Sequence, residues 1–233
     1  MSAANARRAP VLGEREVLIR EARAYLDMAL GYLAPEPARL DAIGGLSGTG
    51  KSRAARELAP LLGPEPGARI LRTDVIRKRL GGVDIHERLG PHGYAPAMAE
   101  RTYGRLFQLS ERALAAGQAV VADAGFAGPD QRDAIASVAR NAGVLFRELW
   151  LEASPDVMVR RVGERRRNAS DATADVVERQ LSYDLGEIEW DRVDSSGSRQ
   201  DTMARSRRRL VSDGFRAPPR RAWRPLIYAS LRP

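Results

Sequence analysis

Apolar residues return along this chain in two rhythms, one of helical spacing and one of short runs. Over residues 14–33, Leu18, Ala22, Tyr25, Leu26, Ala29 and Leu33 recur every three or four positions. That spacing predicts a helix with one apolar stripe, ended by Pro35 and Pro37. Residues 39–43 predict a short strand running into a glycine-rich loop. From Lys51 to Leu62, the positions Ala55, Leu58, Ala59 and Leu62 mark a second helix, closed by Gly63 and Pro64.

Beyond that point the rhythms alternate. Strands are predicted at 68–73, 118–124, 144–153 and, last and short, 189–194. Helices are predicted at 74–80, 96–116, 129–141, 155–167, 173–185 and around 198–210, the third of these with Pro129 at its first turn. Residues 81–93 form a Gly/Pro/His loop, and "NASDA" is a polar break. Strands separated by helices of this length predict right-handed crossovers and a parallel sheet covered on both faces. No internal repeat is present. Residues after Leu210 mix proline and arginine with little periodicity and predict an irregular tail. The expected division is a helical extension (1–34), a catalytic body (35–210) and a basic tail (211–233).

At 233 residues the chain can bury a full core. It has no cysteine, which excludes disulfides and thiolate metal sites. No run approaches the roughly 18 apolar residues of a membrane span, and the N-terminus lacks the apolar stretch of a secretory signal, so a cytoplasmic protein is expected. The net charge of +8 is local: residues 195–233 hold ten arginines against Asp201 and Asp213, which is the whole excess. This basic end could touch nucleic acid or simply be a solvated terminus.

The chemistry begins at "GGLSGTGKS", residues 44–52. Gly45, Gly50, Lys51 and Ser52 match G-x-x-x-x-G-K-[ST], with Ser47, Gly48 and Thr49 inside the loop. Glycines let consecutive backbone N–H groups approach phosphate oxygens, and the helix that follows aims its positive end at the same anion. Lys51 would reach the β- and γ-phosphates and Ser52 would ligate Mg²⁺. Only two lysines, Lys51 and Lys78, stand among 38 basic residues, and one of them sits here. GTPase chemistry is disfavoured, because neither lysine follows an asparagine as an Asn-Lys-x-Asp motif requires.

In "LRTDVIRKRL", Asp74 falls at the carboxyl edge of the second strand and Arg77 one turn later on the same side. A carboxylate beside a guanidinium suits a kinase acceptor site, as base and anion clamp. The alternative is that Asp74 only caps a helix. Asp123 ends the next strand in "AVVADAGF", either as a Mg²⁺-orienting carboxylate or as a turn residue. The run Arg160, Arg161, Arg165, Arg166 and Arg167 is either a solvated helix face or, in part, a lid on the transferring phosphoryl group. His86 and His92 read as exposed and make no metal pair.

Together, "GGLSGTGKS", "LRTDVIRKRL", "VVADAGF", "LWLEASPDVMVRRVGERRRNASDAT" and "WDRVDSSGS" resemble the AAA_33-type P-loop kinases. More narrowly, the chain resembles the C-terminal ATP-binding half of bacterial proteins that fuse an aminoglycoside-phosphotransferase-like domain to such a kinase. Polynucleotide 5′-kinases and zeta-toxin-like kinases are more distant relatives. The resemblance covers about residues 20–210, and "EARAYLDMALGYLAPEPARL" looks like the helix joining the two fused halves.

The resemblance implies a P-loop NTPase of kinase type, a three-layer α/β/α fold with a parallel five-stranded sheet in order 2-3-1-4-5. It implies ATP and Mg²⁺, with Asp74 as acceptor-hydroxyl base, Arg77 as acceptor clamp and Arg165 as lid arginine. Arg161 would lie beside the adenine or the phosphates, and Asp194, Ser195 and Ser196 would end the last strand near the adenine. The phosphotransferase-like half is not in this sequence, so a partner could supply it, and the tail has no family counterpart.

The expected function is ATP-dependent phosphorylation of a hydroxyl on a small-molecule or nucleotide acceptor. A polynucleotide 5′-hydroxyl kinase is one alternative, weakened because residues 81–98 lack an aromatic, arginine-rich stacking platform. A non-catalytic ATP-binding module regulating a partner enzyme is the other.

Overall fold

A computed structural model of the chain describes residues 12–33, 37–164 and 169–211. Five parallel strands form its centre: β1 (Arg39–Gly44), β2 (Arg69–Arg72), β3 (Val120–Asp123), β4 (Leu145–Glu152) and β5 (Asp191–Asp194). Their order is β2-β3-β1-β4-β5, the order implied by resemblance. Central β1 pairs with β3, Ile43 opposite Asp123, and with β4, Gly44 opposite Trp150. Asp123 is therefore one strand away from the start of the glycine loop.

Helices α1 (Leu12–Leu33), α2 (Lys51–Leu58), α3 (Thr73–Leu80), α4 (Pro96–Ala115), α5 (Pro129–Ala142), α6 (Pro155–Gly163), α7 (Ala174–Leu181) and α8 (Arg199–Leu210) complete the described chain. The second predicted helix, expected to Leu62, stops at Leu58 and tightens into a 3₁₀ turn over Ala59–Leu61. Pro60 has no N–H to donate to the helix ladder. The helix expected over 173–185 ends at Leu181, and the end of the helix expected over 155–167 lies outside the described residues, as do Pro35 and the tail from 212. No described helix is long and apolar enough to cross a membrane.

Period-two alternation sorts the strand side chains between two cores. Leu40, Ala42, Val120, Ala122 and Trp150 face α3, α4 and α5, packing with Ile76, Leu106, Leu114, Ile135 and Val138. Their neighbours Ile43, Val121, Leu149 and Leu151 face the other way, onto Ala54, Ala55 and Leu58 of α2 and Leu210 of α8. Buried Asp41 interrupts this second set, bonded to Arg39, whose guanidinium also reaches the Leu210 carbonyl at 3.0 Å. A third cluster, Met158, Val162 and Val177, joins α6 to α7.

Two features lie at the ends of the described chain. The apolar stripe of the first helix is largely uncovered, with Tyr25 and Leu26 at 60% and 58% exposure. Periodicity shows that a helix has an apolar face, but not what meets it. Five of the ten C-terminal arginines, Arg199, Arg205, Arg207, Arg208 and Arg209, belong to α8, the helix predicted around 198–210.

Candidate active site

All five strands point their carboxyl ends to one edge, where β1, β2, β3 and the residues after β5 deliver the candidate side chains to a single cleft. It encloses about 1120 Å³ and is lined by the glycine loop, Asp74, Arg77, Tyr94, Asp123 and Arg161 among others. That exceeds the usual range of roughly 300–1,000 Å³ for one small ligand, leaving room for a nucleotide and an acceptor.

The glycine loop leaves β1 with Gly45 at φ 132° and Gly48 at φ 90°, in the region that disfavours side chains. A Cβ on Gly48 would stand 2.6 Å from the Met158 backbone, so α6 packs directly on the loop. The loop is braced from within: Thr49 Oγ1 and Lys51 Nζ both donate to the Leu46 carbonyl, at 2.8 and 2.7 Å. Ser195 braces it from outside, its hydroxyl lying 2.8 Å from the Thr49 carbonyl and 2.9 Å from that of Glu152. The Ser47 N–H donates to Gln180 Oε1 of α7 at 2.7 Å. Gly50, at φ 93°, precedes Lys51 at the head of α2.

Beside the loop lie the acidic candidates. Arg72, the last residue of β2, is in register with Asp123 on β3. Its Nε donates to Asp123 Oδ2 at 3.0 Å and its Nη2 to Ser52 Oγ at 3.1 Å. The same Nη2 is 3.9 Å from Asp74 Oδ2. Asp74 lies in the first turn of α3, where no side chain makes a cap bond, so the alternative that it only caps the helix is not borne out. Enclosure in the cleft raises its carboxyl above the ordinary range, and the Asp123 carboxylate pushes the same way, while Lys51, Arg72 and Arg77 pull it back.

Arg77 Nη1 donates to the Gly93 carbonyl at 3.3 Å, and its guanidinium lies 5.2 Å from the centre of the Tyr94 ring. Its Nε is buried with no hydrogen-bond partner among the described residues. The expectation that residues 81–98 offer no stacking platform is thus modified, because Tyr94 puts one aromatic ring, half exposed, at the cleft.

The remaining candidates divide. Arg161 lines the cleft, but its Nη2 donates to the Ser195 carbonyl at 2.8 Å, securing the segment after β5. Asp194 is not brought to the cleft. It accepts from the Ser196 N–H at 2.8 Å and lines a separate groove with Arg192, Arg205, Arg208 and Arg209. Arg165 lies outside the described residues. His86 and His92 are exposed, as expected.

The fit to a divalent cation rests on the donor set. Ser52 Oγ and the Asp123 carboxylate converge on one cationic group, the Arg72 guanidinium, so both can face a shared positive charge. Among the described residues no group of three or more His, Asp or Glu could hold a metal by itself. Magnesium does not require one, since it commonly takes one or two carboxylates and completes its shell with water and phosphate oxygens.

Sequence reasoning missed Arg72, Tyr94, Gln180 and Asp171. Only Arg72 left a signal, as a charged residue ending a strand one position from Asp74's turn. The others depend on contacts between distant segments.

A profile of the AAA domain family AAA_33 matches residues 42–184. The chain is 30% identical over 190 residues to an uncharacterized protein of Mycobacterium tuberculosis strain H37Rv and to its counterpart in Mycobacterium bovis. Each match takes in 78% of this chain and 36% of the relative, so the chain spans about a third of the length of these relatives. A sugar kinase of Janibacter sp. HTCC2649 has a similar fold, with TM-score 0.52 and 16% identity over 75% of this chain and 95% of that one. Kti12 of Chaetomium thermophilum, solved in complex with ADP-AlF3, gives TM-score 0.51 and 21% identity over 73% and 95%.

Proposed function

The chain belongs to the AAA_33 family, and from that premise we propose that it is an ATP- and Mg²⁺-dependent kinase acting on a hydroxyl of a small-molecule or nucleotide acceptor. The observation that carries the reading is the position of Asp74. A single nitrogen, Arg72 Nη2, lies 3.1 Å from Ser52 Oγ and 3.9 Å from the Asp74 carboxylate. A carboxylate with a raised pKa therefore stands beside the loop that would hold the triphosphate.

In this reading the amides of residues 45–52 and Lys51 hold the phosphates of ATP. Ser52 and Asp123 would hold Mg²⁺, which supplies neutralisation of charge on the β- and γ-phosphoryl oxygens when bound. Asp74 takes the proton from the acceptor hydroxyl. The acceptor oxygen forms a bond to the γ-phosphorus as the bond to the β–γ bridging oxygen breaks, and ADP leaves. Arg77, with its unpartnered Nε and its place under Tyr94, orients an anionic part of the acceptor. Arg161 and Ser195 position the nucleotide loop, and Arg165 is assigned to the lid. A partner protein could supply the part of the relatives that this chain does not span.

Tyr94 favours a second reading, in which the acceptor is the 5′-hydroxyl of a polynucleotide whose terminal base meets that ring. One screen tests both: labelled phosphate from [γ-³²P]ATP is followed into sugars, nucleosides and 5′-hydroxyl oligonucleotides. Acceptor-dependent transfer that disappears in Lys51→Ala supports the kinase. No transfer to any acceptor, with melting temperature still raised by ATP, would make the chain an ATP-binding module.

A further inference from the structure

The geometry points to Arg72 as the residue that makes divalent-cation binding depend on nucleotide. We propose that its guanidinium competes with a divalent cation for Ser52 Oγ and the Asp123 carboxylate, so that the cation enters only together with a triphosphate. This rests on the reading that Ser52 and Asp123 hold the metal.

Arg72 is held by pairing and by strand register. As the last residue of β2, opposite Asp123 on β3, its side chain leaves the sheet on the same face as that carboxylate. Two of its nitrogens then donate to the two oxygens that a metal would use, at 3.0 and 3.1 Å. The site is enclosed, with the Arg72 and Asp123 side chains 15% and 4% exposed, so attraction between them is screened far less than at the surface.

A free divalent ion would gain two protein oxygens and leave the guanidinium with only the Asp74 carboxylate, 3.9 Å away. Among the described residues no three His, Asp or Glu side chains converge, so the protein alone cannot surround the ion with acidic ligands. A nucleotide triphosphate changes both balances. Its oxygens complete the shell of the metal, and they offer the displaced guanidinium planar, charge-assisted acceptors of the kind it pairs with best. Arg72 thereby acts as a positioning residue: it couples metal entry to nucleotide entry and holds Asp123 and Ser52 in place beforehand.

Mn²⁺ is the probe, with free Mn²⁺ followed by electron paramagnetic resonance in the full chain. Without nucleotide, wild type and Arg72→Lys should leave Mn²⁺ free, and Arg72→Gln should acquire one site about tenfold tighter or better. Adding Asp123→Asn to Arg72→Gln should abolish that site. A gain of binding that a second substitution removes cannot come from misfolding. With the non-hydrolysable β,γ-imido analogue of ATP, Asp123→Asn in the wild-type background should weaken Mn²⁺ binding. If Arg72→Gln and wild type bind Mn²⁺ alike without nucleotide while Asp123→Asn still weakens the nucleotide complex, Arg72 gating is wrong and the metal assignment stands. If Asp123→Asn leaves the nucleotide complex unchanged, the metal assignment fails and the gating fails with it.

Discussion

Lys78 and Asp171 form a buried ion pair, with Nζ 2.8 Å from Oδ1 and the side chains 1% and 8% exposed. It ties the segment between α6 and α7 to the loop that covers Arg77. Lys78 Nζ also donates to the carbonyls of Ile85 and Glu87, and Asp171 Oδ2 accepts from the Leu89 N–H and the Tyr94 hydroxyl. Burial pushes the Asp171 carboxyl up, yet the hydrogen bonds from Lys78, Leu89 and Tyr94 outweigh it and hold the pKa below the ordinary range.

Breaking this pair from one side should be severe. Asp171→Asn leaves a buried ammonium facing only carbonyls and an amide, at about 3–5 kcal/mol, read as a fall in melting temperature. The double change Lys78→Met with Asp171→Leu should recover part of that loss, because no buried charge remains. Both should raise KM for the acceptor more than KM for ATP, since the pair positions Tyr94. Equal effects of the single and double changes would show that the ion pair contributes nothing specific.

In the proposed reaction the raised Asp74 carboxyl sets the acid limb of the rate. A base works only when deprotonated, so kcat/KM should fall as pH drops through a value above the ordinary aspartate range of about 3.9. Asp74→Asn should lower turnover by about 10²–10⁴ and abolish that limb, while ATP binding persists. Turnover like that of wild type would remove Asp74 from the chemistry.

Gly48 tests the loop. Gly48→Ala places a methyl 2.6 Å from the Met158 backbone at φ 90°, a strain of about 1–3 kcal/mol before any clash. The stabilisation that ATP confers on thermal unfolding should shrink or vanish, while the fold in the absence of ATP persists. An undiminished ATP-dependent shift would mean that the loop amides are not the phosphate cradle.

Asp41 makes stability depend on pH. Burial in the central strand lifts its pKa to about 6, against the counteracting Arg39 and Arg147. The folded chain then binds more protons than the unfolded one between pH 3.8 and about 6. This stabilising term is full below the lower value and is lost as pH rises through the upper one, about 3 kcal/mol in all. Asp41→Asn should flatten melting temperature against pH over that window, and an unchanged slope would assign it to other groups.

Much of this protein was legible before folding. The strands, the parallel sheet and the glycine loop follow from local spacing, because period two, period 3.6 and the phosphate loop are all written within a dozen residues. Asp74 and Arg77 were legible for the same reason, since one helical turn puts them on one side. The order of the strands followed from family resemblance, not from spacing.

Contacts between distant segments were not legible. Arg132 looks like any helix-surface arginine, yet it is 6% exposed and bonds four carbonyls, those of Phe126, Ala127, Leu185 and Glu187. Asp171 sits in a polar break and finds Lys78 only across 93 positions of chain. Arg72 meets Ser52 and Asp123 because three strands end at one edge in one register. Residue type and spacing by themselves determined which groups are the candidates to bind phosphate and move a proton. Only the tertiary structure decided which charges face one another, because a charge's partner is set by distance in space and by exclusion of water, and neither is encoded by nearness along the chain.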